Sequence, residues 1–104
     1  MREIDRPAFA AAHADGALVI DVREPMEYLA GHVPGARLIP MGQLASRTSE
    51  LPKDQRIFVI CASGNRSLAM TDLLQRLGFD AVSVAGGTSG WAADGRPIAT
   101  GSTG

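Results

Sequence analysis

The chain has 104 residues, 45% hydrophobic and 20% charged, with a formal net charge of −1. This is the composition of one globular domain with a single buried core. It excludes a general electrostatic attraction to nucleic acid or to an anionic membrane, and no apolar run approaches the ~20 residues that a membrane span needs.

In chain order, residues 2–4 are expected as a short edge strand. Asp5 is a good N-cap, with Pro7 tolerated in the first turn of a helix over residues 7–13. Residues 17–22, Ala-Leu-Val-Ile-Asp-Val, form a second, buried strand. Pro25 opens a short helix over residues 25–29. The tight turn at 31–36 leads into a strand at 37–39, which Pro40 ends. A helix is expected over residues 41–46, loosely extended to Leu51. The run Ile57-Phe58-Val59-Ile60 is a central strand, and Met70, Leu73, Leu74 and Leu77 form the i, i+3, i+4, i+7 stripe of an amphipathic helix capped by Gly78. Residues 81–84 are the last strand. Gly86-Gly87 is a permissive turn, Thr88 or Ser89 a cap for a short helix containing Trp91, and residues 99–104 a loose tail. The domain proper is therefore 1–98.

Strands alternating with helices imply an α/β domain: a five-stranded parallel sheet with helices on both faces. All loops leaving the strands then gather at one rim, where open α/β sheets bind their ligands. The only cysteine sits on that rim, in the loop Cys61-Ala62-Ser63-Gly64-Asn65-Arg66-Ser67. Small residues let the loop curl, and Gly64 and Asn65 tolerate positive φ. A curled loop feeding a helix start points backbone N–H groups at one spot, which favours an anion or a thiolate. Arg66 adds a planar cation suited to a bidentate oxyanion contact. Ser63 and Ser67 bring hydroxyls near the sulfur, Ser67 also as a helix cap. A core cysteine would need none of this, so Cys61 is read as a nucleophile that the other six loop residues serve.

Asp21, Arg23 and Glu24 are read as holding the rim through mutual or backbone contacts. His32 is read as a hydrogen-bonded loop histidine, and Trp91 as a core anchor beneath the rim. No acidic, His or Cys cluster has metal-ligand spacing, so neither metal nor cofactor is expected. A single cysteine excludes an internal disulfide framework and points to the reducing cytoplasm, and charges within residues 1–14 interrupt any signal-peptide core. The oligomeric state is not fixed by these features.

Val19-Ile20-Asp21-Val22-Arg23-Glu24, Glu27-Tyr28, Gly31-His32-Val33-Pro34-Gly35-Ala36, the Cys61–Ser67 loop, and Gly86-Gly87 with Trp91 together resemble, in order and over nearly the whole chain, the signatures of the single-domain rhodanese family. The resemblance implies a five-stranded parallel α/β fold and transfer of sulfane sulfur through a cysteine persulfide. It implies thiosulfate or a persulfide as donor, and cyanide or a thiol, a protein thiol included, as acceptor. Many members carry a basic residue directly after the cysteine; Ala62 leaves one charge fewer here for thiosulfate. Cysteine phosphatases and arsenate reductases of similar fold are the alternative enzymes, but their loop places five residues between cysteine and arginine, where this one has four. A non-catalytic binding module is the third reading; such modules usually lose the cysteine.

Overall fold

The computed structural model describes residues 1–102. In chain order the elements are β1 (Glu3–Ile4), α1 (Arg6–Ala14), β2 (Leu18–Asp21), α2 (Pro25–Ala30), β3 (Arg37–Leu38), α3 (Met41–Leu44), a 3-10 turn (Ala45–Glu50), β4 (Ile57–Ile60), α4 (Asn65–Arg76), β5 (Ala81–Val84) and α5 (Gly87–Ala93). The five strands form one sheet in the order β1-β5-β4-β2-β3, and every pairing is parallel. The α/β architecture expected from the alternating pattern is the one observed.

Side chains alternate across the sheet and so build two cores. On one face Ile57, Val59 and Cys61 of the β4 run pack with Ile39, Leu44 of α3 and Leu74 of α4. On the other, Phe58 and Ile60 pack with Phe9 of α1, Tyr28 of α2 and Trp91 of α5. Helices therefore cover both faces. β2 passes the chain outward to β3, and β4 passes it the other way to β5, so the direction of winding reverses between β2 and β4. A crevice opens at the carboxyl ends of strands flanking such a reversal. Asp21 ends β2 and Cys61 follows β4, so both lie there.

Several local expectations are met through identifiable bonds. The Asp5 carboxylate accepts from the Ala8 N–H at 2.9 Å and caps α1. Gly78 has φ +91°, as a glycine ending a helix does. Trp91 is an anchor of the second core, edge-on to Phe9 at 5.4 Å, with its indole N–H donated to the Pro97 carbonyl.

Others are corrected. The buried face of α4 carries Ser67, Thr71 and Leu74, while Leu77 is 43% exposed. α4 ends at Arg76 with Leu77 as its C-cap, and the next buried side chain is Phe79, beyond the turn. The helix expected over 41–46 is α-helical only to Leu44; Ala45–Glu50 follow as a 3-10 turn within which Arg47 leaves helical geometry. Neither Thr88 nor Ser89 caps α5; Gly86 does, at φ +76°, and Gly87 begins the helix at φ +58°. Ala99, expected at the start of a loose tail, exchanges both backbone hydrogen bonds with His32 at 2.9 Å, and Gly101 N–H donates to the Leu29 carbonyl. The chain is thus held at least to Gly101; Thr103 and Gly104 of that tail lie outside the described residues.

Candidate active site

The loop after β4 is shaped by glycine. Gly64 sits at φ +113° immediately before α4 and is its N-cap; Asn65, the first helical residue, needs no positive φ, since among the described residues only glycines adopt it. The reversal brings the Gly64 N–H back onto the Cys61 sulfur at 3.1 Å. Cys61 itself is 1% exposed. Burial pushes its thiol pKa up, but the Ser67 hydroxyl and the N–H groups of Ser67, Gly64 and Ser63 outweigh burial and hold it below the ordinary thiol value. The anion site foreseen in the curled loop is thus filled by the sulfur.

The seven loop residues divide the work unevenly. Ser67 Oγ lies 3.3 Å from the sulfur and 3.2 Å from the Gly64 carbonyl. Ser67 is not the cap expected, because Gly64 occupies that position and Ser67 stands two residues into α4. Ser63 is exposed and serves through its N–H, not its hydroxyl. Ala62 offers its carbonyl to the Ser89 N–H at 2.9 Å, as Cys61 offers its own to Thr88 at 2.8 Å. The first amides of α5 therefore bind the exit of β4 directly. Asn65 is exposed at the start of α4.

Gly87 makes that docking possible. A Cβ there would lie 2.5 Å from the Cys61 carbonyl oxygen and 2.6 Å from that of Ala62, besides requiring φ +58°. Backbone cannot yield as a flexible side chain does. Gly87→Ala should cost on the order of 3 kcal/mol and lower Tm by roughly 10 °C or more. It should also slow alkylation of Cys61, since the loop must shift; thermal melts and a single-thiol alkylation rate check both.

Arg66 arrives already paired. Its guanidinium binds both carboxylate oxygens of Glu27 on α2, at 2.7 and 2.9 Å. The bidentate contact foreseen for a substrate oxyanion is thus made to the protein's own carboxylate, and it clamps α4 to α2 across the rim. Arg66, helped by the Glu24 N–H, pulls the Glu27 pKa down to about 2. Because that folded-state value is depressed, the pair's contribution is fully present above the ordinary carboxylate value and is lost as pH falls from there through about 2. Both side chains are about one-third exposed (34% and 35%), so solvent screening limits the contribution to about 1 kcal/mol. Glu27→Gln should destabilise the protein by that amount at pH 7, with the difference from wild type shrinking between pH 5 and pH 2 in urea melts. It should also free the Arg66 guanidinium to bind an anion at the rim.

The rim behind the loop is built as the sequence implied. Arg23 lies over Asp21, with Nε 3.0 Å and Nη2 2.8 Å from its carboxylate oxygens, and Nη2 also donates to the Gly31 carbonyl at 2.7 Å. Both side chains are nearly inaccessible, at 7% and 0%. The Glu24 N–H donates to Glu27 at 3.0 Å, which starts α2. His32 is fully buried, stacked on Tyr28 with ring centroids 3.7 Å apart, and its Nδ1–H donates to the Tyr28 carbonyl at 2.7 Å. A groove of about 360 Å³ is lined by Glu27 and Ala30 of α2, Thr88 and Ser89 of α5, Arg23 and Ile98 among others. Among the described residues no group of His, Cys, Asp or Glu converges as metal ligands would, and no helix is long and apolar enough to cross a membrane.

Two residues of this site were not singled out from the sequence. Glu27 entered only as part of the Glu27-Tyr28 signature, with no role of its own, and nothing local to it reveals Arg66 as its partner. Ser83 of β5 lies fully buried with its hydroxyl 2.7 Å from that of Ser67. One signal was available for it: a lone serine in an otherwise apolar strand must find a partner when buried.

Comparison with known proteins agrees with this geometry. Residues 6–94 match the family model described as the rhodanese-like domain. A protein of Allochromatium vinosum named sulfurtransferase is 36% identical over 101 residues, covering 94% of each chain. The crystal structure of a rhodanese-related protein from Thermoplasma volcanium superposes with a TM-score of 0.89 at 34% identity, covering 95% of this chain and 98% of that one. That of a thiosulfate sulfurtransferase from Pseudomonas aeruginosa gives 0.88 at 28% identity over 99% of this chain, which spans 21% of that longer one. The chain belongs to the rhodanese-like domain family, among relatives named as sulfurtransferases.

Proposed function

We propose that this domain transfers sulfane sulfur from thiosulfate or a persulfide donor to a thiol, a protein thiol included, or to cyanide, through a persulfide on Cys61. The Cys61 thiolate attacks the outer sulfur of thiosulfate. The sulfur–sulfur bond of the donor breaks, and sulfite leaves with its electron pair. The acceptor then attacks the outer sulfur of the Cys61 persulfide, and the pair of that bond returns to the Cys61 sulfur. This is nucleophilic catalysis in two displacements, and neither needs a general base when the sulfur is already a thiolate.

One observation carries the reading: a lone cysteine held at the sheet's reversal point, with Gly64 N–H on its sulfur at 3.1 Å and the Ser67 hydroxyl at 3.3 Å. The tight curl supports a sulfur-sized cargo over a phosphate ester, which a ring one residue longer would suit. Loop N–H groups and the Ser67 hydroxyl stabilise negative charge as it returns to the sulfur. Ala62 in place of a basic residue, and Arg66 already bound to Glu27, weaken attraction for thiosulfate and favour donors of lower charge. The groove at α2 and α5, whose Thr88 and Ser89 bind the Cys61 and Ala62 carbonyls, gives an organic thiol room to lie against Ala30 and Ile98. The domain works as a reducing-compartment enzyme, the cytoplasm being the simplest, because the thiol must be free at the start of each cycle.

The test is intact-protein mass spectrometry after incubation with thiosulfate, followed by cyanide. A gain of one sulfur atom mapped to Cys61, and its loss with release of thiocyanate, is the expected result. An unmodified Cys61 with both thiosulfate and an organic persulfide would overturn the proposal. Release of inorganic phosphate from a small aryl phosphate would place the chain with the phosphatases instead.

A further inference from the structure

We propose that Ser83 is a positioning residue for the Cys61 nucleophile, donating a hydrogen bond to Ser67 and thereby turning the Ser67 hydroxyl onto the sulfur. Ser83 lies on β5, on the face that meets α4. Its Oγ is 2.7 Å from Ser67 Oγ, and both residues are fully buried. Ser67 Oγ in turn has the Gly64 carbonyl at 3.2 Å and the Cys61 sulfur at 3.3 Å.

Counting hydrogens fixes the direction. Ser67 has other acceptors for its one hydrogen: the Gly64 carbonyl always, and the sulfur when ionised. The only hydrogen bond of the Ser83 side chain among the described residues is the one to Ser67. If Ser67 donated to Ser83, the Ser83 hydrogen would be buried without an acceptor, which costs ~1–3 kcal/mol. Donation from Ser83 to Ser67 leaves no hydrogen stranded.

Two arrangements follow. With Cys61 protonated, S–H donates to Ser67 Oγ, and the Ser67 hydroxyl donates to the Gly64 carbonyl. With Cys61 ionised, the Ser67 hydroxyl swings onto the sulfur and joins the Gly64 N–H there. Ser83 donates to Ser67 in both. A hydroxyl that accepts one hydrogen bond is a stronger donor in the next, and that gain matters most when the acceptor is charged. Ser83 therefore favours the ionised sulfur without touching it. The same bias applies whenever an acceptor pulls sulfur from the persulfide and negative charge returns to Cys61.

The charged groups around the sulfur are Arg66 of α4 with its partner Glu27 of α2, and Asp21 with Arg23 at the exit of β2. On the α5 side Gly87, Thr88, Ser89 and Gly90 are uncharged, while Arg6 of α1 is bound to Asp94. A substitution at Ser83 changes none of these charges. A change in Cys61 titration then reports on the hydroxyl chain.

The inference rests on Cys61 as the reacting group, but its test needs no sulfur donor. The rate of Cys61 alkylation by iodoacetamide is measured against pH in wild type and in Ser83→Ala, Ser83→Thr and Ser83→Val. As the chain's only cysteine, Cys61 gives the whole signal. Ser83→Ala should move the midpoint up by about half to one pH unit, a three- to tenfold loss of proton release. Thr and Val match in volume and differ by the hydroxyl, so Ser83→Thr should keep a lower midpoint than Ser83→Val even if both disturb packing. In a Ser67→Ala background, Ser83→Ala should add no shift. Equal midpoints in wild type and Ser83→Ala, equal midpoints in the Thr and Val variants, or an undiminished shift without Ser67, would each overturn the proposal. Failure of sulfur transfer with a normal Ser83 effect would instead count against the functional reading alone.

Discussion

Cys61→Ser should reduce thiosulfate:cyanide turnover by roughly a thousandfold or more while leaving the domain folded. A serine hydroxyl fits where the sulfur lies and still accepts the Gly64 N–H, so no buried donor is stranded. Tm should stay within a few degrees of wild type, corresponding to less than about 1 kcal/mol. What is lost is chemistry. The alkoxide lies far above neutral pH, whereas Cys61 is held below the ordinary thiol value by the loop's N–H groups and Ser67. Oxygen also makes no persulfide. Because the chain has no second cysteine, nothing can substitute as carrier. The measurement is a cyanide-coupled thiosulfate assay beside a thermal melt. Turnover above a few per cent with a normal melt would mean that sulfur passes directly from donor to acceptor without a Cys61 persulfide.

The parts of this site that are local in sequence were legible there. An apolar run, a cysteine, a glycine and a helical stripe occupy consecutive positions, and their order alone sets a strand, a curl and a helix N-terminus around the sulfur. The sheet was legible for a related reason, since strands buried on both faces announce themselves as β-branched runs. What escaped was set by contacts distant along the chain. Glu27 meets Arg66 39 positions away, because α2 and α4 converge on the same rim only once β2 and β4 are neighbours. Ser83 meets Ser67 across 16 positions, because β5 lies beside β4. The cap of α5 was misassigned for a physical reason as well. Thr88 and Ser89 have good capping chemistry, but their amides are committed to the carbonyls of Cys61 and Ala62, and glycine alone can turn the backbone so tightly ahead of them. Leu77 obeyed the helical period but stands just past the end of α4, as its C-cap.

Arg23→Ala should be the most destabilising single change at the rim, costing about 3–5 kcal/mol. Arg23 and Asp21 form the most deeply buried ion pair among the described residues, and Asp21 is completely inaccessible. Removing the guanidinium leaves that carboxylate with the Arg23 backbone N–H at 3.0 Å as its remaining donor, and strands the Gly31 carbonyl that Nη2 had satisfied. The consequence reaches the reaction, because Asp21 ends β2 at the sheet's reversal point and Arg23 ties that end to the turn after α2. Freed from it, α2 should loosen, and with it the Glu27 clamp on Arg66. Urea melts should show the loss in full, and kcat should fall at temperatures where the variant is still folded. The double variant Asp21→Asn with Arg23→Met separates charge from shape. With no buried charge left unpaired, it should recover at least half of the lost stability. Recovery of stability without recovery of kcat would assign the pair a role in aligning the loop. If Arg23→Ala alone costs less than about 1 kcal/mol, the level typical of a surface pair, water reaches Asp21 in the variant, and the pair is not what fixes the rim.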